Sequence, residues 1–173
     1  MPLLIVFKGH PGVGKSTVAR AVAQRLGVPL IDKDDIKDIL DDGRFNAGGP
    51  SYNVMFNVAR RQLLNGLNVI CDSPLSQLPG YTSAQRVARE ANARLVVVEC
   101  MCSAPEEWQR RVDQRGALNL PAHHITTWQG LQALLDKRGD SSQYPIDAPH
   151  LVINTIEPLE TLVDRIIVWL MSH

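Results

Sequence analysis

A three-layer α/β fold around a five-stranded parallel sheet is the architecture this sequence predicts, and three observations carry it. Short apolar runs alternate with segments of helical period along the chain, a glycine-rich turn joins the first run to the first helix, and acidic residues stand at the ends of the second and third runs. Strands alternating with helices imply right-handed crossovers and a parallel sheet. Ligands on such sheets bind beyond the carboxyl ends of the strands.

Leu3 to Phe7 is a continuous apolar run, as expected for a strand covered on both faces. From Lys15 to Leu26, Val18, Ala19, Val22, Ala23 and Leu26 fall on one helical face, and Gly27 ends the helix. Pro29 to Asp32 reads as the second strand and 34–41 as a short helix with Asp35 in its first turn. Gly43 to Pro50 reads as a loop. A helix over Ser51–Asn65 buries Met55, Val58, Ala59 and Leu63; Asn68–Asp72 is the third strand, and Ser73–Gly80, with two prolines, a loop. Thr82–Asn92 is helical and Leu95–Cys100 is the fourth strand. Ser103-x-x-Glu106 fits a capping box opening a helix to Arg115. Gly116–His124 reads as a loop, Ile125–Lys137 as a helix and Leu151–Asn154 as the fifth strand. In the last helix Leu159, Leu162, Val163, Ile166, Ile167 and Leu170 repeat every 3.6 residues.

The chain has 173 residues, 45% of them hydrophobic, which is enough for one domain with its own core. Eighteen basic residues balance eighteen acidic ones. That neutrality argues against a general nucleic-acid or acidic-membrane binder, whose affinity rests on excess positive charge. Cys71, Cys100 and Cys102 form no C-x-x-C pair, so neither a disulfide frame nor a zinc site is expected. Met1 to Phe7 is too short for a signal peptide or a membrane span, and a reducing cytoplasm is the expected compartment.

Gly9-His-Pro-Gly-Val-Gly14-Lys15-Ser16 matches G-x-x-x-x-G-K-[ST] at every fixed position, after a predicted strand and before a predicted helix. The spacing has a chemical reason. A loop that wraps a phosphate must aim its backbone N–H groups inward, and glycines permit the close approach. Gly9, Pro11, Gly12, Val13, Gly14, Lys15, Ser16 and Thr17 would cradle a nucleoside triphosphate. Lys15 would reach the outer phosphates and the Ser16 hydroxyl would reach Mg²⁺, with the helix N-terminus adding partial positive charge. The sequence thus predicts a P-loop NTPase fold with helices on both faces and a short lid.

Three carboxylates fall at the same end of the sheet. Asp34 is the candidate to accept the proton of an acceptor hydroxyl. Asp32 is a candidate for the metal, and Asp72 for the metal or the acceptor. Among Arg110, Arg111 and Arg115, the last two share a helical face and are candidates to stabilise a transferring phosphoryl group, with a lid over about 111–124. Trp108 and Trp128 read as packing residues, and His10 as a loop residue without catalytic duty.

The motifs GHPGVGKST (9–17), DKDDIK (32–37), VICDSPL (69–75) and RRVDQRG (110–116) together resemble the small P-loop kinases grouped with AAA-type ATP-binding domains. That grouping takes in polynucleotide 5′-hydroxyl kinases, the zeta-toxin and chloramphenicol phosphotransferase kinases, and shikimate and gluconate kinases. The resemblance implies phosphate and Mg²⁺ contacts for Lys15 and Ser16, a base role for Asp34, the first position of a D-x-D pair for Asp32, the strand-three aspartate for Asp72 and the lid arginine for Arg115. Lys37 stands where polynucleotide kinases carry an acceptor-contacting arginine, and a lysine there weakens a forked phosphate contact. Asn154 stands where many relatives carry an aspartate, and no catalytic role is assigned to it.

The leading expectation is a single domain over 1–173 that moves the terminal phosphoryl group of ATP to a hydroxyl of a small-molecule acceptor, bound by the segment 34–66. ATP is favoured over GTP because no N-K-x-D motif is present. A nucleotide-dependent switch or ATPase bound to a protein partner is the alternative. A polynucleotide end kinase is disfavoured by neutral charge and by Lys37. Oligomeric state is left open.

Overall fold

The computed structural model describes residues 1–40, 47–117 and 127–173, the side chains of residues 138, 140 and 141 excepted. Five strands form one sheet: β1 (Leu3–Lys8), β2 (Leu30–Asp32), β3 (Val69–Asp72), β4 (Arg94–Met101) and β5 (His150–Asn154), in the order β2-β3-β1-β4-β5, all parallel. The helices are α1 (Lys15–Leu26), α2 (Lys33–Leu40), α3 (Gly48–Leu64), α4 (Leu78–Glu90), α5 (Pro105–Ala117), α6 (Trp128–Arg138) and α7 (Leu159–Met171), with a short 3-10 turn at Gly139–Ser142.

All six residues of β1 are buried, which explains the unbroken apolar run: the central strand of a parallel sheet has no wet face. Alternate residues supply two core layers. Ile5 and Phe7 pack with Val98 against Val18 and Val22 of α1 and Leu162 and Ile166 of α7. Leu4 and Val6 pack with Val97 against Met55 and Ala59 of α3 and Ala84 and Val87 of α4.

The chain leaves β1 and β4 toward the α1 and α5 side, and leaves β3 toward α4 on the other face. Adjacent strands β1 and β3 therefore diverge at their carboxyl ends and open the crevice where the fold places ligands. Register aligns Phe7 with Asp72 and Asp32 with Asp72, so the last residues of β2 and β3 put two carboxylates side by side at that crevice.

Some boundaries differ from expectation. Helix α3 begins at Gly48, three residues earlier than the periodicity suggests, because the Ala47 carbonyl accepts both the amide and the hydroxyl of Ser51 at 2.9 and 2.6 Å. Of the expected loop 43–50, residues 43–46 lie outside the described residues. Helix α4 begins at Leu78 rather than Thr82. Pro79 is accommodated in its first turn, where a missing N–H breaks no intrahelical bond. Gly116 continues α5 to Ala117 instead of opening a loop. The expected lid loop and the expected start of α6 at Ile125 fall largely outside the described residues. Helix α6 is capped by Thr127, whose hydroxyl accepts the Gly130 amide at 3.1 Å. Ser103 exchanges two hydrogen bonds with the side-chain amide of Asn154, donating its own amide at 3.2 Å and accepting at its hydroxyl at 2.7 Å. Asn154 thereby ties the start of the α5 segment to β5.

The irregular segment before β5 is strapped to α4 by Tyr81. Its fully buried hydroxyl accepts the amides of Asp147 and Ala148, both at 3.0 Å. Tyr81→Phe leaves both donors without their acceptor, and is expected to lower unfolding stability by about 2 kcal/mol in urea denaturation. An unchanged midpoint would show that the strap does not contribute.

Candidate functional site

The loop between β1 and α1 is built on two close approaches and a left-handed turn. A β-carbon at Gly9 would lie 2.6 Å from the Cys100 carbonyl oxygen, and one at Gly12, where φ is 80°, 2.4 Å from Val112 Cγ2. Only glycine fits either position. Gly14 ends the loop in the left-handed region and precedes the first turn of α1, so the helix's free N–H groups face the concavity.

The loop's carbonyls are held from outside. Trp108 Nε1 donates to the Pro11 carbonyl at 2.8 Å, and its ring stacks on His10 at 5.9 Å and meets Trp128 edge-on at 5.4 Å. Thr155, just past β5, donates its hydroxyl proton to the Val13 carbonyl and accepts from Arg111 Nη1 at 2.9 Å. Arg111 also donates to the Val13 and Thr155 carbonyls at 3.2 and 2.9 Å and pairs with Glu107 at 2.7 Å. With its carbonyls occupied, the loop presents amides to the cavity. Trp108 thus combines the packing duty expected of it with a hydrogen bond to the loop. The Thr155 contact, between residues 142 positions apart, leaves no local signal in the sequence.

Inside, Lys15 is buried and forms an ion pair with Asp72 Oδ1; its ammonium also lies 3.4 Å from Ser16 Oγ. Asp72 is wholly buried, and its second oxygen, Oδ2, has no hydrogen-bond partner among the described residues. Asp32 Oδ1 accepts the Asp34 amide at 2.9 Å, so Asp32, rather than Asp35, caps α2; Asp35 is exposed. The Asp34 carboxylate is held by Lys33 Nζ at 2.8 Å. Lys33 is itself buried, with its ammonium 5.6 Å from the centre of the Tyr52 ring.

Arg115 enters from α5. Burial lowers its pKa, while Asp34, then Asp32 and Asp72, act in the opposite sense; the guanidinium thus lies within the field of all three carboxylates. A cavity of about 600 Å³ is lined among others by His10, Gly12, Lys15, Ser16, Asp34 and Arg115; Asp32 and Asp72 are not part of its lining. Lys37 sits in the last turn of α2, half-buried, and is not among the residues lining this cavity. Arg110 is turned to Glu107 and Gln114 on the exposed side of α5.

Burial, and next the neighbouring Asp72 carboxylate, raise Asp32 from its ordinary 3.8 to about 6. A buried acid crowded by a second one calls for a cation. Among the described residues no group of three or more His, Cys, Asp or Glu side chains is arranged to hold a metal ion. The carboxylate pair with the unpartnered Asp72 oxygen suits a different arrangement, in which one or two carboxylates and a hydroxyl bind an ion completed by phosphates and water. Cys71 and Cys100 are buried and pushed up, Cys100 to about 12, so they are inert thiols.

Strand order and loop together define a P-loop fold of the kinase type. The AAA domain family model matches residues 4–137, and the chain belongs to that family. An uncharacterized protein of Mycobacterium tuberculosis is 31% identical over 116 residues, covering 58% of this chain and 23% of that protein; the chain therefore spans about a quarter of the length of the curated relatives it matches. A crystal structure of a candidate kinase from Chloroflexus aurantiacus superposes with a TM-score of 0.78 at 24% identity, covering 99% of this chain and 98% of the other. The APS kinase of Mycobacterium tuberculosis, solved in complex with AMPPNP and APS, gives 0.69 at 17% identity, with 98% of each chain covered. These likenesses establish the fold.

Two outcomes follow from the buried charges. Lys15→Met strands the Asp72 carboxylate and is expected to destabilise the protein by about 3 kcal/mol, while the double variant with Asp72→Asn recovers most of that loss. Additive losses in a double-mutant cycle would show that the pair is not coupled. For Asp32, the folded chain keeps its proton up to about pH 6 and the unfolded chain only to about pH 4, so stability falls as pH rises through that window. In metal-free buffer Asp32→Asn should therefore stabilise the protein at about pH 7.5 by about 1–2 kcal/mol, allowing for its partial exposure, and have no such effect below about pH 4. A gain of the same size at both pH values would contradict this.

Proposed function

We propose that this protein binds ATP and transfers its terminal phosphoryl group to a hydroxyl of a small-molecule acceptor. The observation that carries this reading is the convergence of the loop lysine, the α5 arginine and Asp34 on one cavity, with Asp72 paired to that lysine and Asp32 beside it in register. A site that only held a nucleotide would need the loop; it would not need Asp34 and Arg115 facing each other across it.

In this reading the amides of Gly12, Gly14, Lys15, Ser16 and Thr17 and the Lys15 ammonium bind the phosphates. Lys15 exchanges Asp72 for phosphate oxygens, a move of charge within one buried cluster. Ser16, with Asp72 and Asp32, would hold Mg²⁺, which shields the phosphate oxygens and orients the terminal group. Asp34, held in place by Lys33, orients the acceptor hydroxyl and takes its proton. Arg115 places positive charge where negative charge accumulates, in a cavity with little water to screen it. Arg111, expected at the phosphate, is assigned instead to holding the loop, because its guanidinium is engaged by Glu107, Val13 and Thr155. The reacting hydroxyl of the acceptor lies beside α2 and α3, where the Tyr52 hydroxyl accepts the Leu75 amide of the loop after β3 at 2.9 Å. We treat residues 1–173 as one kinase-like unit. Among the described residues no helix is long and apolar enough to cross a membrane.

The test is a transfer assay with Mg-ATP against pooled sugars, nucleosides, antibiotics and oligonucleotides. One pool is expected to raise ADP release well above the rate with water alone. Asp34→Ala should then lower transfer by about 10²- to 10⁴-fold with ATP affinity nearly unchanged. Transfer at the wild-type rate in that variant would remove Asp34 as base. Tight nucleotide binding with no response to any pool would favour a nucleotide-dependent switch.

A further inference from the structure

A second cavity, of about 630 Å³, adjoins the first and shares His10 and Pro74 with it. Its origin is topological. Because β1 and β4 both leave toward α1 and α5, the opposite face above their carboxyl ends receives no helix among the described residues. The irregular segment 142–149 covers it instead, held down by Tyr81.

Under that cover lies a row of polar side chains on three adjacent strands. Lys8 and Glu99 are register partners on β1 and β4, and Lys8, itself buried, forms an ion pair with Glu99 Oε1. His150, at the start of β5, places Nε2 at 3.0 Å from Glu99 Oε2. The Lys8 ammonium also lies 5.6 Å from the centre of the Tyr144 ring. Tyr144 donates its hydroxyl to the Leu75 carbonyl at 2.5 Å. Nothing in the phosphate chemistry above uses this cluster.

We propose that this cavity is the recognition subsite for the body of the acceptor, and that it takes an uncharged, polyhydroxylated molecule of monosaccharide to nucleoside size; the proposal rests on the kinase reading for the word acceptor, and on the cavity alone for the ligand class. The full charges in the row cancel. A strongly anionic ligand would meet Glu99, and a strongly cationic one Lys8, without a counter-charge in reserve. Hydroxyl groups can accept from the lysine and donate to the carboxylate at once. The volume lies in the range of small-molecule sites. The shared wall at His10 and Pro74 lets a molecule seated here extend one hydroxyl toward Lys15 and Arg115.

The experiment measures binding without nucleotide, by the imidazole proton resonances of His150 in the wild-type protein. D-ribose, myo-inositol and uridine are the uncharged probes; gluconate, glucosamine and uridine monophosphate are their charged counterparts. At least one uncharged probe should shift the His150 resonances, and its charged counterpart should bind about tenfold more weakly or worse. Glu99→Gln, of the same shape, should weaken binding of that probe by about tenfold. No shift with any uncharged probe at high millimolar concentration, or equal binding of the charged counterparts, would overturn the proposal; if Glu99→Gln does not fold, the wild-type resonances decide. Binding at His150 without phosphorylation on adding Mg-ATP keeps the subsite and removes the kinase. Phosphorylation of an acceptor that leaves His150 unmoved does the reverse.

Discussion

The ion pair between Lys15 and Asp72 is the constraint on which the rest of the site depends. Asp72 is completely buried at the end of β3, and a carboxylate there is tolerated only with a partner. Lys15 is that partner, yet it satisfies one oxygen only. The neighbouring Asp32, withdrawn from water by burial and then crowded by the Asp72 carboxylate, holds its proton more tightly. The crevice is thus poised to gain a cation and to surrender its lysine to an anion, and a metal–phosphate complex brings both. That electrostatic incompleteness distinguishes the β1–β3 end of the sheet from the β1–β4 end, where Lys8, Glu99 and His150 satisfy one another.

Around that pair the fold works to keep the loop in one shape. Trp108, Arg111 and Thr155 reach it from α5 and from the end of β5, and each takes a loop carbonyl. A short loop held at its Pro11 and Val13 carbonyls loses little further conformational entropy when a ligand arrives, which is what preorganisation means energetically. The left-handed backbone at Leu75 (φ 45°) belongs to the same economy of fixed parts: Tyr52 holds its amide and Tyr144 its carbonyl, so the loop between β3 and α4 is fastened by two tyrosines from separate elements.

Much of this was legible in the sequence because it is local. The P-loop spacing, the apolar run of β1 and the carboxylates closing β2 and β3 each occupy a few consecutive residues, and strand–helix alternation fixes which end of the sheet they share. The boundary errors at Gly48, Leu78 and Gly116 arose where glycine and proline read as breakers although the first or last helical turn accommodates them. What could not be read were contacts between residues far apart. Thr155 meets Val13 across 142 positions, and Lys8 meets Glu99 across 91. Helical spacing put Arg111 and Arg115 on one face but could not say that the first would grip the loop's backbone while the second entered the carboxylate field.

The thiols carry one more consequence. Cys71 precedes Asp72 in β3, the Cys100 carbonyl lies against Gly9, and Cys102 follows β4; all three are buried and unpaired to sulfur. None can react until the carboxyl edge of the sheet parts from its cover, so the rate at which an alkylating reagent modifies them is a clock for that opening. Ligands that seat on the edge slow the clock in proportion to how tightly they close it, and the chain thereby carries its own reporter of occupancy, with no label to be introduced.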